Sequence, residues 1–170
     1  MDLEQKRKEI QNMKRVWDVI SHPSFLENLQ KNIEAEKERI FCVHDMQHFI
    51  DVARLAYIFN LERNYIVDKD IINAAAFLHD IGKWQQYQDG TPHEIASEVL
   101  AESILNDTGF TEEERKLILD AIHFHRKGDG SSKLDEILYD ADKLSRSCYA
   151  CKAKELCNWA EEKKNLKVTW

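Results

Sequence analysis

The sequence predicts an all-α protein folded as one helical domain. Only 5 of its 170 residues are Gly and only 2 are Pro, which indicates few turns. Apolar residues recur three and four positions apart, the spacing of one helix face, and no segment shows the alternation of a half-buried strand. Residues that cap helix starts precede several of these segments. The chain is long enough to bury a core without disulfides or a metal.

The first three predicted helices follow from apolar spacing. Residues 2–20 form the first, whose apolar residues are Ile10, Met13, Trp17 and Ile20. The second begins at Ser24, which forms a capping-box pattern with Glu27. Its apolar stripe consists of Leu26, Leu29 and Ile33. The third extends from about His44 to Asn60, and its inward side consists of His48, Val52, Leu55 and Phe59.

The other four predicted helices are bounded by start and stop signals. Their approximate ranges are 69–81, 91–108, 111–125 and 132–142. Thr91 and Glu94 fit a capping box with Pro92 at the first helical position. Thr111 and Glu114 form another capping box, and a glycine follows each of the first two of these ranges.

Composition excludes several classes of function. Acidic residues outnumber basic ones by 31 to 24, for a net charge of -7, which argues against general binding to nucleic acid. A small phosphorylated substrate remains compatible, because a bound cation reverses the local potential. The sequence has no apolar run near the roughly 20 residues of a membrane span, and its N-terminus lacks the apolar region of a secretory signal. We therefore expect a cytoplasmic protein with reduced cysteines, and the sequence indicates no oligomeric state.

Six His and Asp residues, whose side chains are common metal ligands, occur in or at the edges of the predicted helices. In chain order they are His48, His79, Asp80, His93, His125 and Asp142. A helical bundle could gather them around one cation. Mixed imidazole and carboxylate ligands favour a divalent ion of a hydrolytic site (Mn, Fe, Co, Ni, Zn or Mg) over a thiolate-rich structural site.

Helical geometry distinguishes the inward residues from their neighbours. His125 continues the apolar stripe of the sixth helix, whereas His123 lies about 200° round the axis from it. The same test places Asp142 on the inward side of the seventh helix and Asp140 outside it. A carboxylate on an inward stripe is costly to bury unless it is paired or binds a metal, so we expect Asp142 to be a ligand.

Two local patterns support a metal site near the third and fourth helices. His79 and Asp80 are adjacent at a predicted helix C-terminus, where both side chains can reach one ion. A buried histidine satisfied by its neighbouring aspartate is the simpler alternative. His44 and His48 are four residues apart on one helix face, which is itself a ligand spacing. We interpret His44 as a pocket residue, and a surface residue at the helix N-terminus is the alternative.

The order and context of these residues resemble the HD superfamily of metal-dependent phosphohydrolases. The resemblance covers about residues 41–146, and its most specific part is the doublet in AAAFLHDIGK. It implies an HD-type helical bundle at 41–147. We expect the N-terminal helices at 1–40 to pack on this bundle and a cysteine-containing segment at 148–170 to follow it. The metal ligands that it implies are His48, His79, Asp80 and Asp142.

The resemblance also implies catalytic residues. His93 and His125 match positions that bind a second metal in some family members, but Arg126 occupies the place of a further His, so one or two metals remain possible. Lys83 and Arg126 would contact phosphate, and Asp80 would also orient the attacking water.

The function implied is hydrolysis of a phosphate ester, with nucleotides as the first candidates, by water that a cation activates. One alternative is a non-catalytic HD-like module that senses a ligand or transmits a signal. Another is a redox or metal sensor that uses the cysteines.

Four cysteines form a second candidate site. Cys148 and Cys151 have the Cys-x2-Cys spacing of a metal-binding turn, Cys157 follows closely, and Cys42 precedes His48 by six residues. If His48 and Asp142 share a metal, all four thiols can meet. A zinc or iron–sulfur site is one interpretation, and unmetallated thiols packed in the fold are the other.

Overall fold

The computed structural model describes residues 13–168, and all regular elements in this range are helical. Its α-helices are α1 (Lys14–Ile20), α2 (Pro23–Ala35), α3 (Met46–Glu62), α4 (Lys69–Leu78), α5 (Lys83–Gln88), α6 (His93–Asn106), α7 (Glu112–Phe124) and α8 (Lys133–Leu144). Three one-turn 3-10 helices follow, at Cys148–Ala150, Lys154–Leu156 and Glu161–Lys163. The all-α prediction is confirmed. The part of the first predicted helix before residue 13 lies outside the described residues.

Helix α4 lies at the centre of the bundle. All its residues from Ile71 to Leu78 are buried, and it packs against α1, α3, α6, α7 and α8. Three consecutive alanines, at positions 74–76, allow these neighbours to approach closely. Because other helices surround α4, His79 and Asp80, which follow its last turn, also lie buried in the interior.

The buried face of α2 differs from the predicted apolar stripe. Leu26 and Ile33 are 50% and 43% exposed, whereas Asn28 and Asn32 are buried. The reason is polar bonding across the bundle. The Asn32 side chain donates to the backbone carbonyl of Asp80 (2.9 Å) and accepts from the backbone N–H of Trp84 (2.8 Å). Helix α2 thereby holds the turn that carries Asp80.

Of the three predicted capping boxes, the one at Thr111 forms, whereas the two next to Pro23 and Pro92 do not. The box at Thr111 is confirmed. The box at Ser24 is wrong: α2 begins one residue earlier, at Pro23, and the His22 ring accepts from the Ser24 N–H (3.2 Å). The box at Thr91 is also wrong, because its hydroxyl donates to Asp89 and α6 begins at His93.

The predicted fourth helix is interrupted at the His-Asp doublet. Helix α4 ends at Leu78, a turn covers residues 79–82, and the short helix α5 follows, which sequence patterns did not predict. This turn packs tightly on α6: the Gly82 N–H donates to the Ser97 hydroxyl (3.0 Å), and a Cβ at Gly82 would lie 2.6 Å from the backbone nitrogen of Ser97. Glycine is required here because α6 approaches so closely.

The segment after α8 crosses the outside of the bundle. The Asn165 side chain ties it down by donating to the backbone carbonyls of Lys143 (2.8 Å) and Arg146 (3.0 Å). The Arg146 guanidinium stacks 3.8 Å from the centre of the Trp159 ring. Within residues 13–168, every helix is too short or too polar to cross a membrane.

Candidate metal centre

Two groups of His and Asp side chains meet inside the bundle. The first consists of His48, His79, Asp80 and Asp142, and the second of Asp80, His93 and His125. In each group the ligand atoms all lie within 4.8 Å of one another. The six residues selected from the sequence are therefore in one place, and their assignment as ligands or catalytic groups remains a prediction.

The carboxylate of Asp80 joins the two groups. Its Oδ2 atom lies 3.3 Å from His79 Nε2 and 3.9 Å from His48 Nε2. Its Oδ1 atom lies 3.3 Å from His93 Nε2 and 3.5 Å from His125 Nε2. On the far side of the first group, Asp142 Oδ1 lies 3.6 Å from His48 Nε2. Asp80 thus offers one oxygen to each group.

Helix ends bring these side chains together. Their positions are the first turn of α3 (His48), the residues after α4 (His79 and Asp80), the start of α6 (His93), the residue after α7 (His125) and the last turn of α8 (Asp142). Side chains at the ends of several helices can converge on one point, whereas side chains in the middle of packed helices are kept apart by their neighbours.

Three histidines are oriented by an acceptor on their Nδ1 side. Nδ1 of His79 and of His125 lies 2.7 Å and 2.5 Å, respectively, from the backbone carbonyl three residues earlier. Nδ1 of His93 lies 2.7 Å from Gln86 Oε1. Because these oxygens can only accept, Nδ1 carries the hydrogen and Nε2 faces Asp80. Metal-binding histidines are commonly oriented in this way.

Two buried atoms of the centre have no hydrogen-bond partner among the described residues. They are Asp80 Oδ1 and His125 Nε2. Buried polar atoms are almost always paired, so each one left over needs an explanation. A divalent cation fits both this observation and the donor set, since imidazole nitrogens and carboxylate oxygens are ordinary ligands of such ions.

The charges of the first group are strongly coupled. Burial, reinforced by neighbouring His79, lowers the pKa of His48 to about 3. Burial opposes protonation of His79 too, but the carboxylates of Asp80 and Asp142 outweigh it and raise the pKa of His79 to about 10. Burial disfavours the charged carboxylates, yet His79 holds the pKa of Asp80 and of Asp142 well below the usual value. The group therefore carries two anions around one cationic position.

The predicted phosphate contacts occupy different surroundings. Lys83 Nζ lies 3.3 Å from His93 Nδ1, and burial lowers the pKa of Lys83 although Asp80 opposes this. Arg126 is half-exposed and pairs with Glu94 at 3.2 Å, and Glu94 lies 3.5 Å from His93 Nδ1. Lys83 therefore lies next to His93 itself, whereas Arg126 is connected to His93 through Glu94.

The residues assigned to the outer side of their helices do point away from the centre. His123 is exposed and its Nδ1 lies 2.7 Å from Glu98. Asp140 accepts from Arg63 at 2.7 Å. His125 is fully buried and Asp142 is 4% exposed, so the predicted register of α7 and α8 is confirmed.

A buried carboxylate that sequence patterns missed lies beside the centre. Glu36 accepts from the backbone N–H of His44, from His44 Nδ1 and from the Tyr87 hydroxyl, each at 2.6 Å. His44 Nε2 lies 3.5 Å from Asp80 Oδ2, as expected of a pocket residue. Burial acts to raise the pKa of Glu36, but the bond from His44 outweighs it and lowers the pKa. No local signal marks Glu36, which stands in a charged stretch.

The four cysteines do not form a site of the same compactness. Cys42 is exposed and the other three are half-buried, all as free thiols. Among the described residues, the groups whose ligand atoms lie within 4.8 Å of one another contain no cysteine. The tetrahedral sulfur spacing expected from the sequence is therefore not present.

Comparisons with known proteins identify a family and a relative. A family model described as "HD domain" matches residues 45–147, which is more than half of the chain. A protein of Clostridium beijerinckii, described only as an uncharacterized protein, is 43% identical over 156 residues, covering 92% of this chain and 99% of the relative. No solved structure matches the chain.

Proposed function

The chain belongs to the HD domain family, and from this premise we propose that it is a metal-dependent phosphohydrolase. The observation that supports the proposal most directly is the pair of ligand groups joined by Asp80, buried at the end of the central helix. Burying the two carboxylates of this cluster costs free energy unless a cation pairs with them.

The first group would hold the catalytic ion. His48, His79, Asp80 and Asp142 provide two imidazoles and two carboxylates, a set suited to Mn, Fe, Co, Ni, Zn or Mg. When bound there, a divalent ion would lower the pKa of water and polarise a phosphoryl oxygen. Asp80 and Asp142 would balance its charge, and the acceptor behind His79 Nδ1 keeps that ring turned towards the site.

The second group would act on the phosphoryl group. His93 and His125 present Nε2 to the Asp80 Oδ1 side of the pocket, where a transferred phosphoryl group could lie between them and the first group. Lys83 lies at the other ring nitrogen of His93, 3.3 Å from Nδ1, and would add a positive charge behind that ring. Asp80 would orient the attacking water through its second oxygen. Arg126 would act indirectly, by holding Glu94 beside His93.

The substrate we propose is a small phosphorylated molecule. The acidic composition gives nucleic acid no general basic surface to bind, while Lys83 and the histidines provide a local positive site. The family suggests nucleotides first.

The test is metal analysis of the purified protein, followed by a screen of phosphate esters and nucleotides after loading with each candidate ion. We expect metal-dependent release of phosphate, or of a nucleotide product, that His79→Ala abolishes. Asp140→Asn, on the outer side of α8, is the matched control. If every loaded form binds nucleotides without turnover, the protein is a ligand-sensing module and the proposal is wrong.

The count of ions distinguishes the roles of the second group. With one ion in the first group, His93→Ala and His125→Ala should lower turnover while the metal content stays at about one ion per chain. A second ion at Asp80, His93 and His125 would instead give about two ions per chain in the unaltered protein and one in either variant.

A further inference from the structure

A groove on the outside of the bundle, here called the α3 groove, lies between α3 and the chain that follows α8. Helix α3 lines one side of it, and residues between 144 and 149 and between 165 and 168 line the other. Its volume is about 310 Å³, at the lower end of the range for pockets that bind small molecules. None of the six His and Asp residues of the metal centre lines it. The α3 groove is therefore a separate place in the fold, and its chemistry is considered by itself.

The wall opposite α3 is held in place by Asn165, which itself lines the groove. The Asn165 side chain donates to the backbone carbonyls of Lys143 (2.8 Å) and Arg146 (3.0 Å). The backbone carbonyl of Asn165 accepts from the N–H of Tyr149 at 2.9 Å. These three bonds join the chain at residue 165 to the chain that leaves α8. The groove is therefore formed by the fold before a ligand binds, as most small-molecule sites are.

The charge of the α3 groove is opposite in sign to that of the whole chain. The chain carries a net charge of -7, whereas three basic residues of the groove lining against one acidic residue give +2. The basic residues are Arg54, Arg146 and Lys167, and the acidic one is Asp51. The Asp51 carboxylate already accepts from Gln47 at 2.9 Å. A positively charged groove on an acidic protein attracts an anion to that place.

Two of these cations have no acidic partner in the fold. Arg54 and Lys167 are exposed, and within residues 13–168 neither forms a salt bridge. Exposed lysines elsewhere in this chain do pair: Lys14, Lys31 and Lys116 each contact an acidic side chain four positions away. The donors of Arg54 and Lys167, which come from opposite sides of the groove, are therefore available to a ligand.

The rest of the lining fits an organic molecule better than a bare ion. Leu55, Leu144 and Val168 provide apolar surface. Tyr149, which is 48% exposed, provides an aromatic ring, and Ser147 provides a hydroxyl. Small-molecule sites combine apolar and aromatic surface with a few polar groups in this way. The ligand that suits the groove therefore has an anionic group and an aromatic or apolar portion.

We propose that the α3 groove binds a small organic phosphate monoester with an aromatic portion. At neutral pH a phosphate monoester carries a charge of about -1.5 to -2, which matches the charge of the lining. Arg54 and Lys167 donate to the phosphate oxygens in charge-assisted hydrogen bonds, and the Tyr149 ring packs against the aromatic portion. This site is distinct from the metal centre and does not depend on the proposed hydrolytic function.

The test is calorimetric titration of the full chain with AMP, adenosine and inorganic phosphate. The protein is first treated with a chelator, so that no ion holds AMP at the metal centre. We expect AMP to bind at least about tenfold more tightly than adenosine or phosphate, because each of these keeps only part of the contacts. The double variant Arg54→Gln, Lys167→Gln should bind AMP at least about tenfold more weakly, since hydrogen bonds to charged groups are lost.

The matched control is the double variant Lys127→Gln, Lys152→Gln, which removes two exposed positive charges outside the groove and should bind AMP as the unaltered protein does. Arg146 is left unchanged because it also lies 3.6 Å from Asp142. Lys83→Gln, beside His93, reports binding at the metal centre and should leave AMP affinity unaltered. Absence of AMP binding, equal losses in the two double variants, or a loss in Lys83→Gln with none in the groove variant would overturn the proposal.

Discussion

The Nε2 atoms of His48 and His79 lie only 3.3 Å apart. Two ring nitrogens at this distance can share at most one hydrogen between them. The pKa of His79 is raised to about 10 and that of His48 is lowered to about 3, in agreement with a single proton held at His79. A divalent ion bound to both nitrogens would occupy the position of that proton.

Metal binding should therefore release a proton. Because the pKa of His79 is about 10, the proton competes with the ion at every pH below that value. We expect the apparent metal affinity to rise between about pH 6 and pH 9, with about one proton released per ion. Calorimetry in buffers of different ionisation enthalpy measures both quantities. An affinity independent of pH would contradict the assignment of His79 as a ligand.

Loss of a first-group ligand should remove the metal. His79→Ala or Asp142→Ala is expected to reduce the metal bound at the first group to near zero and to abolish hydrolysis. His123→Ala and Asp140→Ala should have little effect on either, because both side chains lie on the outer side of their helices and contact Glu98 and Arg63. Equal metal loss in Asp140→Ala and Asp142→Ala would show that the first group is wrongly assigned.

Gly82→Ala should destabilise the turn that carries Asp80. The added Cβ would lie 2.6 Å from the Ser97 nitrogen, so α5 and α6 must separate. We expect the free energy of unfolding to fall by about 1–3 kcal/mol, the usual cost of overpacking, with weaker metal binding. Gly109→Ala is the matched control, since its nearest atom outside the adjacent residues is 3.9 Å away in the Arg15 side chain. Denaturant unfolding of both variants measures the difference.

Glu36→Gln should destabilise the contacts around His44 without removing a predicted metal ligand. The variant loses a buried carboxylate that accepts from His44 and Tyr87, at an expected cost of about 1–3 kcal/mol. The first-group metal should be retained, while turnover should fall because His44 is no longer held beside Asp80. Glu34→Gln, an exposed neighbour, should change neither quantity.

The same variant has a predictable dependence on pH. Because the pKa of Glu36 is lowered on folding, its contribution to stability is complete above the pKa of the unfolded chain, about 4.3, and is lost as pH falls through the folded value. Glu36→Gln should thus lose less stability on acidification than the unaltered protein. Unfolding curves at several acidic pH values test this, and parallel losses in both proteins would contradict it.

Much of the fold could be predicted from local patterns. Apolar spacing indicated the helices that form the core, and helical register separated His125 and Asp142 from His123 and Asp140. The same reasoning failed on α2, where burial follows Asn28 and Asn32 rather than Leu26 and Ile33. Spacing reports only where apolar side chains recur, whereas these asparagines are buried because they bond to Trp84 and to the Asp80 turn.

The sequence by itself determined the all-α fold, because helices follow from apolar spacing along single segments, and it predicted the six His and Asp residues that meet in the bundle. Only the tertiary structure decided how Asp80 divides its two oxygens between the groups, and that Glu36 lies behind His44. These contacts join residues from different helices, often tens of positions apart. Their distances depend on how the helices pack around α4, which no local pattern encodes.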